Sequence, residues 1–312
     1  MTPDQRHDLL ALLRLTDELP EHHLRAEGLP IVSGTVRRQR VSYAVPVSPS
    51  APSGRLSAWM LRPASGAGPW PGVLALHPHA DSFDQGGDEV AGVQGRREHQ
   101  FGAALAARGF VVLCPDLPGF GQQQAPAGMP TGHTWEALLL QRSLAEGRSL
   151  LAVTLDQLRC ATAVLLDYEA TSDLTVATMG YGLGARVAAW LAFVDRRIDA
   201  AWLHAGIGQQ RALLDQGRPL PRHVLLPGLF ALGLDQADIV ADLLPRGVGI
   251  SYGEADRVVT PTAVAPVVTA LRDRAATFPQ DLRLDVAVGA YDHRLPPEVV
   301  THIGDRLLAW AH

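Results

Sequence analysis

Lysine is absent from this sequence of 312 residues, and all 27 basic residues are arginine. No Schiff-base lysine and no lysine general base can therefore operate here. We read the all-arginine complement as coding bias toward high GC content. Cysteine is nearly absent as well, with Cys114 and Cys160 alone. Cys114 closes an apolar strand-like run and Cys160 falls in a helix-like segment, so two buried thiols are expected rather than a disulfide or a metal site. Aromatic residues make up only 6% and charged residues 19%, against 47% hydrophobic. That balance excludes a disordered chain and supplies a substantial core. No apolar run reaches the roughly 18 residues of a membrane span. The start, Met1 to Arg6, lacks the basic and then apolar pattern of a signal peptide. The formal net charge of −5 leaves no basic footprint for nucleic acid. The local cluster Arg37-Arg38-Gln39-Arg40 reads as a solvated strand edge. A cytoplasmic protein with a small-molecule partner, and neither nucleic acid nor membrane, is expected; a homodimer is compatible with this.

The length suits one large domain or two small ones. Apolar spacing over residues 4–18 predicts an N-terminal helix, ended by Pro20 and Pro30. Two antiparallel leading strands follow, Val36–Val45 and Leu56–Leu61, around a Pro/Ser/Gly turn. Buried-strand patterns then recur at Gly72–Leu76, Phe110–Cys114, Leu174–Met179, Ile198–Leu203, Val248–Tyr252 and Leu282–Val288. Helical patterns lie near Arg97–Arg108, Trp135–Tyr168 (broken near Gly147), Ala185–Val194, Pro261–Arg274 and Pro297–Trp310. Strands alternating with helices imply an α/β fold, a mostly parallel sheet with helices on both faces. Residues 1–35 read as a helical extension and 36–312 as the main domain. The segment about 120–150 is a small helical cap, reached through a loop at Gln122–Gly132.

A second absence is more telling. Gly180-Tyr181-Gly182-Leu183-Gly184 stands between a strand pattern and a helix pattern. Strand, Gly-x-Ser-x-Gly turn and helix together make a nucleophile elbow. Here Gly182 occupies the serine position. In such a site the acid and histidine follow in chain order. The loop after Val248–Tyr252 offers Asp256, with Glu254 behind it, and the loop before the last helix offers His293. Oxyanion donors would come from the Leu183 N–H and from the backbone of His79 or Ala80, after the early strand. His77 and His79 read as pocket lining, since two histidines in one loop are thin support for a metal. His204 and His302 read as structural. Tyr181 is a poor nucleophile, with a phenol pKa of about 10. Cys114, Ser82 and Ser251 lie off the elbow. Phe120, Met129 and Trp135 could cap the site.

The chain resembles the acetyl-xylan-esterase-like and dienelactone-hydrolase-like branch of the α/β-hydrolase superfamily over about residues 36–310. The likeness rests on several stretches in order: Leu76-His77-Pro78-His79; Leu105 to Asp116 with Gly119-Phe120-Gly121; Glu146 to Leu151; Met179 to Gly184; Leu226 to Leu229; and Leu243 to Arg246 leading into Gly253 to Asp256. The resemblance implies an α/β-hydrolase fold, small acyl esters or lactones as substrates and no organic cofactor. It places the acid at Asp256, the histidine at His293 and the nucleophile at Gly182.

Without an Oγ no serine acyl-enzyme can form at 182. An Asp256–His293 dyad facing an oxyanion hole could still run non-covalent chemistry. It could hydrolyse through an activated water, or move a proton in elimination, cyclisation or epimerisation of an apolar ester, lactone or polyketide-like carbonyl compound. The sequence favours the proton-transfer side, because direct water attack forfeits the covalent step. An esterase inactivated by a Ser-to-Gly change at 182 and a ligand-binding pseudoenzyme are the alternatives.

Overall fold

A computed structural model of the chain describes residues 1–280 and 282–311, and for residues 172–174 the backbone only. His312, the last residue of the expected main domain, lies outside this description. The strands are β1 Arg25–Ser33, β2 Val36–Ala44, β3 Arg55–Pro63, β4 Trp70–Leu76, β5 Val111–Pro115, β6 Thr171–Tyr181, β7 Ala200–His204, β8 Gly247–Gly253 and β9 Leu284–Gly289. The helices are α1 Pro3–Leu13, α2 Gly87–Val90, α3 Phe101–Ala107, α4 Gly132–Ala145, α5 Leu150–Leu166, α6 Leu183–Val194, α7 Gln210–Asp215, α8 Gln236–Ala241, α9 Pro261–Ala275 and α10 Pro297–Ala311.

The nine strands form one sheet in the order β1-β2-β3-β5-β4-β6-β7-β8-β9. β1, β2, β3 and β5 pair antiparallel, and from β5 to β9 every pair is parallel. β4, β5 and β7 are buried along almost their whole length, as strands covered on both faces must be. On one face Trp190, Phe193 and Leu151 join the larger core with Leu9 and Leu13 of α1. On the other, Phe101 of α3 and Trp310 of α10 pack on Trp202 and Val112. Among the described residues no single helix is long and apolar enough to cross a membrane.

Strand β1 departs from the expected helical extension at 1–35. It is almost wholly exposed on both faces and contains Gly28 and Pro30, so no burial alternation marks it. The helical run at 97–108 is a 3-10 turn, Arg97–His99, followed by α3. The expected break near Gly147 is real: Gly147 has φ +77° between α4 and α5. α7 and α8 are new. Each has six residues, too short to show a helical period.

Candidate active site

The elbow is built by close packing. β6 sits mid-sheet between β4 and β7, and α6 folds back directly after it. The return brings backbones together: a Cβ on Gly180 would meet Gly184 C at 2.1 Å, and one on Gly184 would meet the Leu76 carbonyl oxygen at 2.0 Å. Only glycine fits either position. The turn is pinned by the Gly182 N–H, which donates to the His204 carbonyl at 2.9 Å.

Gly182 differs from its two neighbours. Its φ is +57° and its ψ −112°, a conformation that strains L-residues. Space does not demand glycine there. A Cβ would sit 3.6 Å from His293 Nε2 and 3.7 Å from Pro78 Cβ, ordinary contact distances.

His293 lies after β9 and Asp256 after β8, and the parallel β8–β9 register brings their loops together. His293 Nδ1 is 2.8 Å from Asp256 Oδ2. Asp256 Oδ1 accepts the N–H groups of Val258 and Val259 at 2.7 and 2.9 Å. The carboxylate is fully buried, while the imidazole is 29% exposed. The acid therefore holds the Nδ1–H tautomer and leaves Nε2 as an acceptor facing Gly182. Glu254 is exposed and takes no part in this pairing.

Leu183 opens α6, so its N–H has no acceptor within the helix. Ala80 and Asp81 hold left-handed φ values of +47° and +53° in the loop after β4. Leu183, His79, Ala80 and Tyr181 share with Gly182 and His293 the wall of one cavity of about 470 Å³. The Tyr181 hydroxyl donates to the His293 carbonyl. Burial pushes its pKa up, so the phenol stays neutral and braces the histidine loop.

Besides Asp256, which meets the cavity only through His293, two expected site residues are not in that wall. His77 is 1% exposed. Its Nδ1–H donates to the Pro78 carbonyl at 2.8 Å, and its Nε2 accepts the Leu117 N–H at 3.0 Å. Burial pushes its pKa down to about 4, so it is a neutral structural strut. Trp135 packs with Leu139 and Leu150 in a small separate core and donates Nε1–H to the Gln123 carbonyl. Phe120 is likewise buried, against the rings of His77 and His79. Ser251 is spent on His204 and Trp202, and both cysteines are buried free thiols.

Sequence reasoning missed Glu136, which is 1% exposed. It accepts from Arg222 Nη1 at 2.7 Å and approaches His79 Nε2 and His223 Nδ1, each at 3.1 Å. Burial alone would raise its pKa, but the hydrogen bonds from His223 and His79 hold it well below the carboxylate range. His79, His133 and Glu136 have the donor types of a metal site, yet Arg222 already neutralises the carboxylate. Also missed were the buried pair Glu89–His99, 2.9 Å apart, and the buried cavity residue Arg186. Glu136 meets its partners from elements distant in sequence, while Glu89–His99 and Arg186 lie close in sequence to their neighbours but owe their setting to burial, which no spacing rule reports.

No family model matches the chain. YtaP of Bacillus subtilis (strain 168), named as a hydrolase, is 28% identical over 146 residues, which is 45% of this chain and 45% of that protein. This match thus spans less than half the length of the curated relative. Among solved structures, the glucuronoyl esterase of Solibacter usitatus superposes with a TM-score of 0.66 at 14% identity, over 98% of this chain and 91% of that one. Acetyl xylan esterase 1 of Thermoanaerobacterium sp. JW/SL YS485 gives 0.60 at 16% identity, over 99% and 92%. A Klebsiella pneumoniae protein named as a dienelactone hydrolase gives 0.58 at 17% identity, over 89% and 99%. The sheet order, the elbow and these superpositions agree: the chain has the α/β-hydrolase fold.

Proposed function

We propose that this chain is an ester- or lactone-hydrolysing enzyme that works without a covalent acyl-enzyme. His293 Nε2 would take a proton from a water held beside Gly182, and Asp256 would keep the imidazole oriented and stabilise the imidazolium. The Leu183 N–H and the backbone at His79–Ala80 would receive the developing oxyanion. The observation that carries this reading is the 3.6 Å between His293 Nε2 and a Cβ position at Gly182. A water in van der Waals contact with the Gly182 Cα on that side can come within hydrogen-bond reach of Nε2. The named activities of the structural neighbours weigh toward hydrolysis.

General-base assistance is worth about 10²–10⁴-fold, and each oxyanion donor about 10²–10³-fold. Together they can drive hydrolysis of activated esters and lactones. Proton transfer on a bound carbonyl compound is the second reading, favoured by the same glycine, since no atom at 182 can bond the acyl carbon.

The test is turnover of 4-nitrophenyl acetate and of simple lactones, in water and in ¹⁸O-labelled water. Steady hydrolysis without an initial burst, lost in His293→Ala, is the expected result. A stoichiometric burst would reveal a covalent intermediate and end the proposal. Isomerised or deuterium-exchanged substrate without hydrolysis would transfer the site to the second reading.

A further inference from the structure

Arg186 is one helical turn beyond Gly182, near the start of α6, and lines the same cavity. It is 4% exposed. Several other buried or half-buried arginines have at least one protein acceptor for the guanidinium. Arg148 and Arg159 pair with Asp156, Arg197 pairs with Asp195, and Arg246 donates Nη1 to the carbonyls of Asp195 and Ile198 while its Nε and Nη2 stay unpaired. Arg186 has no such arrangement. Among the described residues no carboxylate lies within 4.0 Å of its guanidinium, and the buried Nη1 has no hydrogen-bond partner.

The two acids whose charges act on it are engaged elsewhere. Asp256 is used by His293 and two backbone N–H groups. Asp235 accepts the N–H groups of Gln210, Arg211 and Gln236. Burial dominates over their attraction and brings the Arg186 pKa down to about 10, so the group remains a cation at neutral pH. A buried cation without a compensating anion is unfavourable. The acids that line the same cavity, Asp81, Glu98 and Asp292, are all exposed at its rim. Arg186 is thus the one buried arginine or carboxylate among the described lining residues.

We propose that Arg186 is the anion subsite of this cavity, and that the substrate is an acyl compound carrying a carboxylate a short chain away from its reacting carbonyl, such as the half-ester of a dicarboxylic acid. This rests on the reading of the cavity as the substrate site. It replaces the wholly apolar substrate expected from sequence. The planar guanidinium offers paired N–H donors that match a carboxylate edge. A single buried cation balances one negative charge, which selects a carboxylate over a phosphate dianion. Gly182 and Arg186 are four residues apart on the helix, about 6 Å along its axis. One small molecule can therefore span from the base to the guanidinium.

Calorimetric binding of benzoate, benzamide and inorganic phosphate tests this without turnover. Wild-type protein is expected to bind benzoate at least about tenfold more tightly than benzamide. Arg186→Met should abolish that preference, and Arg186→Lys should keep part of it. Arg186→Met should also leave Tm unchanged or raised, since it removes an unpaired buried charge. Equal binding of benzoate and benzamide, or no binding of either, would overturn the subsite using wild-type protein alone. So would phosphate competing as well as benzoate, or a large Tm loss in both Arg186 variants, which would mark a structural role. His293→Ala should keep benzoate binding. An Arg186-dependent benzoate site in a protein that turns nothing over would leave the subsite standing and refute the hydrolase reading. His293-dependent turnover with no benzoate preference would do the reverse.

Discussion

A Cβ placed on Gly182 would fall 3.6 Å from His293 Nε2, so the position that lacks a side chain is the one this imidazole nitrogen faces. A serine there would put Oγ within hydrogen-bond reach of Nε2. Gly182→Ser is therefore expected to gain esterase activity toward 4-nitrophenyl acetate, with a burst that reports an acyl-enzyme. The serine must adopt φ +57°, at a cost of about 1–3 kcal/mol, so Tm should drop modestly. A folded Gly182→Ser protein with no burst would mean that acid, base and oxyanion donors are not assembled.

The two outer glycines of the elbow should behave oppositely. A methyl on Gly180 or Gly184 would meet backbone atoms at 2.1 or 2.0 Å, and backbone cannot step aside as a side chain can. Gly180→Ala and Gly184→Ala are expected to lose about 4 kcal/mol or more, enough to prevent soluble expression. Gly182→Ala should fold, paying only for its φ. Equal thermal stability of all three variants would contradict the close return of α6 onto β4.

Much of this site is legible in the sequence. Residues 180–184 show their glycine spacing, and Asp256 and His293 each follow a readable strand in chain order. Parallel pairing of β8 with β9 then converts two loops 37 residues apart in sequence into a pair 2.8 Å apart. His77 misled because its neighbour His79 does line the cavity; burial, which no local pattern reports, separates the two. Trp135 misled for a similar reason, since its ring turns into a separate small core. Arg186 went unread because an arginine in a helix normally marks a solvated face. Only the depth of α6 beneath the elbow shows that it has no water-facing side.

Asp256 holds His293 Nδ1, and in the proposed reaction it would position the imidazole without touching the reacting atoms. Asp256→Asn keeps the shape and the acceptor for Val258 and Val259 but removes the charge that stabilises the imidazolium. Its amide also disfavours the Nδ1–H tautomer. Hydrolysis should fall by about 10³–10⁴-fold, mostly in kcat, with Tm little changed. Asp256→Ala should in addition destabilise the fold by about 1–3 kcal/mol, because the buried Val259 N–H and the part-buried Val258 N–H lose their acceptor. An unchanged pH–rate profile together with unchanged kcat in Asp256→Asn would remove Asp256 from the proposed machinery.

The buried histidines set an acid limit on stability. Burial pushes the pKa of both His77 and His204 from 6.5 down to about 4. In the unfolded chain each takes a proton near pH 6.5, whereas in the fold each stays neutral until about pH 4. A depressed folded pKa gives stability that is fully present above the unfolded value. It is then lost progressively as pH falls through 6.5 toward 4. Full titration of each is worth about 3 kcal/mol. Asp116 acts oppositely, since burial raises its pKa to about 6. Its contribution is present below the unfolded value of 3.8 and is lost as pH rises through 6, so it partly offsets the histidines over the same interval. Tm measured from pH 7.5 to 4 should therefore fall mainly below pH 6.5. His204→Gln removes one titrating ring while placing an amide donor near the position of Nε2, which bonds the Arg294 carbonyl. It should be less stable than wild type at pH 7.5 and should lose less on acidification. A parallel pH dependence in the two proteins would show that His204 does not set the acid limit.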